Sequence, residues 1–176
     1  MNFYISDLHF GHANILTLCN RPFSCVEEMD EYMIRAWNKT VNRTDKVYIV
    51  GDLIFRSTDP NAYLDRLRGE KHLLIGNHDV SWMNKTDLSK YFKSVERMAV
   101  IATGKGKATL GHFPMLEFEG KYLIHGHTHK RKSELPYWDF LKNSENVLNA
   151  GADINGYKPV SMEELMENNR LFKLGH

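Results

Sequence analysis

The sequence predicts an α/β fold in which a parallel sheet of βαβ units is followed by a second, more antiparallel sheet. Two observations carry this. Short apolar runs at residues 46–50 and 71–75 follow an apolar first strand at 2–6 and alternate with two helical patterns, the arrangement of parallel strands joined by crossover helices. From Ser94 the pattern changes to short strands at 94–102, 108–111 and 122–125, with Gly-rich turns between them. The length of 176 residues is enough for one domain with a real core, expected over residues 1–176.

The first strand runs into Ile5-Ser6-Asp7-Leu8-His9-Phe10-Gly11-His12. Alternate residues of an extended chain point the same way, so Asp7 and His9 can aim at one point. A carboxylate and an imidazole so held suit a borderline divalent metal such as Mn, Fe or Zn. Residues 13–18 suggest a short helix, and Pro22 makes a loop of 20–23 by disfavouring helix at Arg21. Ser24 and Glu27 form a capping-box pattern, with Ser24 as N-cap. The helix it opens should run to about Val41, with Val26, Met29, Met33, Trp37 and Val41 as its core stripe. Residues 42–45 are a polar turn, and the strand 46–50 ends in Gly51-Asp52. Asp59-Pro60 reads as the start of a second helix, which carries Leu64 and Leu67 inward and stops at Gly69. The third strand, 71–75, ends in Gly76-Asn77-His78-Asp79. Residues 80–91 read as loop and short helix. Gly104-Lys105-Gly106-Lys107 is a basic hairpin turn, for which ordinary turn chemistry suffices. Residues 129–143 read as a charged and aromatic loop, 146–149 as a strand, and Ser161 to Glu164 as a second capping box opening a last short helix. His72 and His176 are taken as ordinary strand and terminal histidines, and His125 either supports a ligand from behind or is simply part of its strand, without being a ligand itself.

Composition narrows the function classes. The chain is 42% hydrophobic and 26% charged, with a formal net charge of +1. That balance argues against a whole-surface nucleic-acid binder. No run reaches the length of a membrane span, and the N-terminus shows no basic segment followed by an apolar stretch, so no signal peptide is expected. Cys19 and Cys25 are the two cysteines. Their spacing is not that of a metal-binding pair, and free thiols in a reducing cytoplasm are the simplest account.

The polar residues fall in a pattern. Asp7/His9, Asp52, Asn77/His78, His112 and His127/His129 each sit just after an apolar strand, where open α/β sheets build ligand sites. The ordered set Asp7-x-His9, Gly51-Asp52, Gly76-Asn77-His78-Asp79, Gly111-His112 and Gly126-His127-x-His129 resembles the calcineurin-like metallophosphoesterase superfamily across residues 5–129. The resemblance implies two mixed β-sheets packed as a sandwich flanked by helices. It also implies two divalent metals, manganese first, with Fe, Zn, Ni or Co as alternatives. Asp7, His9, Asp52 and His129 would bind one metal. Asp52, Asn77, His112 and His127 would bind the other, with the Asp52 carboxylate as bridge. The implied reaction is attack by a metal-bridging hydroxide on a phosphate ester. His78 would lie outside the metal ligands and protonate the leaving oxygen or stabilise the developing charge, and Asp79 would orient His78 and hold it protonated.

His12, Arg21 and Arg56 are candidates for contact with substrate phosphate. Helix capping is the other reading for His12, and a solvated loop charge the other for each arginine. The basic run Lys130-Arg131-Lys132 beside His129 draws in an anion or is plain surface. One departure stands out: many members of the superfamily carry a second acid after Gly-Asp, whereas here Leu53, Ile54, Phe55 and Arg56 follow Asp52. The chain leaves little length for a cap, so an open site is expected. The expected activity is phosphodiesterase or phosphatase action on small organic or nucleotide phosphates in the cytoplasm. Nucleic acid is a less favoured partner, through a nuclease of the same superfamily. A non-catalytic adaptor and a single-metal binding protein are the rivals from other classes.

Overall fold

The first two strands of the first sheet, at residues 2–5 and 46–49, carry apolar buried side chains on both faces, and the reason is that both faces are covered there. In the computed structural model, which describes residues 1–175, the elements in chain order are β1 (Asn2–Ile5), α1 (Ile15–Leu18), α2 (Val26–Thr40), β2 (Lys46–Ile49), α3 (Asn61–Leu64), β3 (Glu70–Leu74), α4 (Val80–Met83), α5 (Leu88–Tyr91), β4 (Phe92–Glu96), β5 (Met98–Thr103), β6 (Gly106–Gly111), β7 (Tyr122–His125), α6 (Trp138–Asn143), β8 (Val147–Asn149) and α7 (Met162–Leu174). His176, read above as an ordinary terminal histidine, lies outside the described residues.

Two four-stranded sheets result, ordered β1-β2-β3-β4 and β5-β6-β7-β8. The first is parallel throughout. The second is mixed: β5 and β6 pair antiparallel, while β6–β7 and β7–β8 pair parallel. Side chains alternate faces along each strand, and this sorts the core into layers. Phe3, Ile5, Val47, Ile49 and Leu73 pack with the α2 stripe Met29, Met33 and Trp37. Tyr4, Tyr48, Val50 and Leu74 turn the other way and meet Ala108, Leu110, Ile124 and Leu148 of the second sheet. The outer face of that sheet, Leu123 and Val147, is covered by Leu135 and by Leu141 of α6. The layers are therefore helix, sheet, sheet, helix.

Several boundaries differ from the sequence expectation. The run 94–102 is two strands: β4 closes the edge of the first sheet, and after Arg97 the chain crosses into the second sheet as β5. The N-cap of α2 is Cys25 rather than Ser24, and both the N–H and the hydroxyl of Ser24 donate to Glu28, not Glu27. The second helix is a single turn capped by Pro60 and ending at Leu64, with Leu67 buried in the turn beyond it. The supposed loop 129–143 contains α6. The capping box at Ser161 and Glu164 is present, and its helix runs 13 residues. Among the described residues, no helix is long and apolar enough to cross a membrane.

Candidate metal centre

The carboxyl ends of β1, β2 and β3 leave the first sheet side by side, and their turns are tied together. The Ser6 hydroxyl donates to the Val50 carbonyl at 2.7 Å, Asp7 N to Gly51 O and His9 N to Asp52 O, both at 3.0 Å. From the second sheet, the segments after β6 and β7 bring His112, His127 and His129 to the same end. The turns are sharp. Asp7, His9, Asp52, His127 and His129 all hold left-handed backbone, with φ between 50° and 66°, a region that side-chain-bearing residues seldom occupy. Such strain collects where a fold must aim a group. Gly76 is required here for space: a Cβ at that position would fall on the Asp52 carboxylate.

The side chains converge on Asp52 and Asp7. His9 Nε2 lies 3.6 Å and His112 Nε2 3.3 Å from Asp52 Oδ2, and His129 Nε2 lies 4.0 Å from Asp7 Oδ1. Asn77 Oδ1 sits 3.1 Å from both His112 Nε2 and His127 Nδ1. Among the described residues three groups have donor atoms within 4.8 Å of one another and are able to hold an ion: Cys19, His129 and Asp153 form one, and two lie where these side chains converge, Asp7, His9 and His129, and Asp7, Asp52 and His112. Asp7 borders both groups, as Asp52 was expected to.

The donor set fits divalent cations. His9 is 2% exposed, and neither of its ring nitrogens has a hydrogen-bond partner among the described residues. Burial holds that imidazole down at about 2, so it is neutral. In the tautomer with Nε2 unprotonated, its lone pair faces the Asp52 carboxylate 3.6 Å away, and a cation between them would give both groups a partner. Two other histidines are oriented from behind, as metal-ligating imidazoles are. His112 Nδ1 meets the Val50 carbonyl at 2.9 Å, and His129 Nδ1 meets Asp153 Oδ2 at 2.7 Å, leaving each Nε2 for the site.

Protonation answers the same field. Burial alone would raise Asp52, but the hydrogen bond and charge of His112, with the His78 N–H at 2.9 Å, hold it at about 2. Burial opposes charge on His112 and His129, yet Asp52 beside the one and Asp153 beside the other raise them to about 9 and about 10. His127 falls to about 4, through burial first and then His112. Burial raises Asp7. Without metal, positive charge rests on two imidazolium rings beside the carboxylates.

The remaining candidates divide. His78 is 38% exposed, with Nε2 4.0 Å from Asp52 Oδ2, so it faces both the cluster and solvent. His12 stacks on Phe55, with ring centroids 3.6 Å apart, and its side chain caps no helix. Arg56 is exposed and lies over Phe55. His125 is buried against the Gly126 carbonyl, outside the cluster. Two expectations are corrected. Asp79 does not orient His78. Its buried carboxylate accepts from Asp52 N, Leu53 N, Gly76 N and Trp82 Nε1 at 2.8–3.0 Å, so it clamps the turn that carries Asp52. Arg21 does not face substrate: it donates to the carbonyls of Asp7 and Leu8 and to Asp153, with its side chain fully buried. Sequence reasoning missed Asp153. The signal was there, since Asp153 also follows an apolar strand, β8.

The sequence profile of the calcineurin-like phosphoesterases matches residues 3–153. An uncharacterized protein of Methanocaldococcus jannaschii is 36% identical over 172 residues, covering 94% of this chain and 89% of that one. The Gene 66 protein of Mycobacterium phage L5 is 32% identical over 158 residues, covering 72% and 76%. Among solved structures, a protein of unknown function from Aquifex aeolicus superimposes with a TM-score of 0.74 at 27% identity, covering 95% of this chain and 98% of that one. With that profile matched over most of its length, the chain belongs to the calcineurin-like phosphoesterase family.

Proposed function

We propose that the protein is a dinuclear, metal-dependent phosphoesterase acting on small organic or nucleotide phosphates. The observation that supports this most is the convergence of three strand-end imidazoles, His9, His112 and His129, on two buried carboxylates, with both nitrogens of His9 left unpartnered among the described residues. In this reading Asp7, His9, Asp52 and His129 hold one cation, and Asp52, Asn77, His112 and His127 hold the other. Two divalent cations bound there supply the charge that activates water and offsets the transition state. The chain itself does the rest. Asp79 and Gly76 fix the position of Asp52, and Asp153 aims His129. His78, at the exposed margin of the cluster, donates a proton to the leaving oxygen. His12 and Arg56 lie on the same rim and meet phosphate oxygens. Manganese is the first cation to test, and two free cysteines, Cys19 and Cys25, suit a cytoplasmic setting.

The test is release of p-nitrophenol from bis-p-nitrophenyl phosphate and p-nitrophenyl phosphate with Mn, Ni, Co or Fe. Metal-dependent turnover is expected, and Asp52→Asn should abolish it and weaken both metal sites. A protein that binds two metals yet turns over neither ester is an adaptor, and the enzymatic reading would then be wrong.

A further inference from the structure

Beside the cluster, on the His127 side, the surface opens into an apolar cavity of about 320 Å³. Phe113, Leu116, Tyr137 and Phe140 line it, and His127 forms the wall it shares with the candidate metal centre. Phe113 follows His112 in the chain, and its ring stands edge-on to both imidazoles, 5.1 Å from His112 and 4.6 Å from His127. Leu116 is 78% and Phe113 51% exposed. Among the described residues the lining holds no carboxylate, ammonium or guanidinium. The volume is near the lower end for ligand pockets, roughly 300–1,000 Å³, which suits one ring system. A larger hollow of about 560 Å³ runs along α7, but lysine, arginine and glutamate crowd its rim, and none of the cluster's residues reaches it.

Resting on the phosphoesterase reading above, we propose that this cavity holds the non-leaving organic group of a phosphodiester, and that the group is aromatic, as a nucleobase is. The argument is one of sides. His78 stands against His9 and Phe55, with ring centroids 5.3 Å and 5.2 Å away, so the oxygen it protonates leaves there. The cavity opens by His112 and His127, on the other flank. A second ester substituent on a phosphorus bound at the cluster meets this cavity on the side away from His78. Water attacks phosphorus, the P–O bond to the leaving alcohol breaks, and that oxygen takes the proton. The substituent in the cavity stays esterified as the monoester product. A phosphomonoester has no second substituent, so the cavity selects diesters. Exposed aromatic faces beside a phosphate site favour a planar group by stacking.

The experiment uses the Mn-loaded full chain and two esters with the same leaving group and charge, thymidine 5′-(p-nitrophenyl phosphate) and methyl p-nitrophenyl phosphate. The nucleoside ester should be favoured in kcat/KM by about 10-fold or more, mainly through KM. Phe113→Ala and, separately, Leu116→Ala should bring the ratio of the two esters toward one. Both positions are exposed enough for the variants to fold. A wild-type ratio near one, or a preference that both variants keep, overturns the proposal. If neither ester turns over, the enzymatic reading fails, and saturation-transfer NMR of thymidine 5′-monophosphate decides the cavity by itself. Transfer to the thymine protons that Phe113→Ala abolishes supports it; no transfer, or equal transfer in the variant, rejects it.

Discussion

Asp153 holds two cationic partners with one carboxylate. It lies 2.8 Å from Arg21 Nε and 2.7 Å from His129 Nδ1, with its side chain out of solvent. Arg21 in turn pins the carbonyls of Asp7 and Leu8, so one buried relay positions both the first-strand acid and the last imidazole. Replacing Asp153 by Asn keeps the shape but removes the anion that makes His129 a good donor. Affinity for Mn should fall by about 10- to 100-fold, read by calorimetric titration. If Asp153→Asn binds Mn as the wild type does, His129 is not a ligand. His78 makes the opposite prediction. It stands at the margin, so His78→Ala should keep its metal by elemental analysis while turnover drops by about 10²- to 10⁴-fold. Loss of metal in that variant would move His78 into the coordination set.

The turns and α2 set where those residues sit. At the end of β3, Gly76 lets the backbone come up against Asp52. Gly76→Ala should push that carboxylate aside, lowering both metal content and melting temperature; a variant unchanged in both would mean that the turn yields freely. Asp30, on α2, ties the helix to the first turn through Gly11 N at 3.0 Å and to α3 through the Tyr63 hydroxyl at 3.1 Å. Burial raises its carboxyl from 3.8 to about 6, against those hydrogen bonds. The folded state therefore holds this proton more tightly than the unfolded chain, and stability falls as pH rises from about 4 to 6. A rise of that size corresponds to about 3 kcal/mol at most. Asp30→Asn should remove that fall, seen as a smaller difference in denaturation midpoint between pH 4 and pH 7. An identical pH profile in wild type and variant would leave Asp30 without this role. α2 itself was readable because one stripe repeats at helical spacing over four turns. The one-turn helices α1 and α3 to α5 were read vaguely or too long, since four residues carry no period to read. The break at Arg97 was invisible for a related reason: β4 and β5 are both strands, and only pairing partners tell which sheet each joins.

The two sheets bring residues 120 positions apart into contact, as the hydrogen bonds from His127 N to the Asp7 carboxylate at 3.0–3.1 Å illustrate. The candidate ligands were legible in the sequence because each follows an apolar strand, a local signal. Arg21, Asp79 and Asp153 were misread or missed because their roles are set by burial, which depends on what the other sheet and the loops lay over them. That burial would couple the whole fold to any cation the cluster binds. Asp7 is fully buried and Asp52 2% exposed, and without metal they rely on His112 and His129 for positive charge. A cation that binds only the folded chain stabilises it by mass action, about 2.7 kcal/mol at a hundredfold excess over Kd. For a chain of this size that is a rise in melting temperature of roughly 5–10 °C. Mn added to chelator-stripped protein should produce that rise, EDTA should reverse it, and Asp52→Asn should lack it. The comparison needs no substrate, so it separates metal binding from catalysis. Equal melting curves with and without Mn, at concentrations where titration shows no uptake, would mean that the carboxylates are held by imidazolium rings alone and that the strand ends converge on no metal.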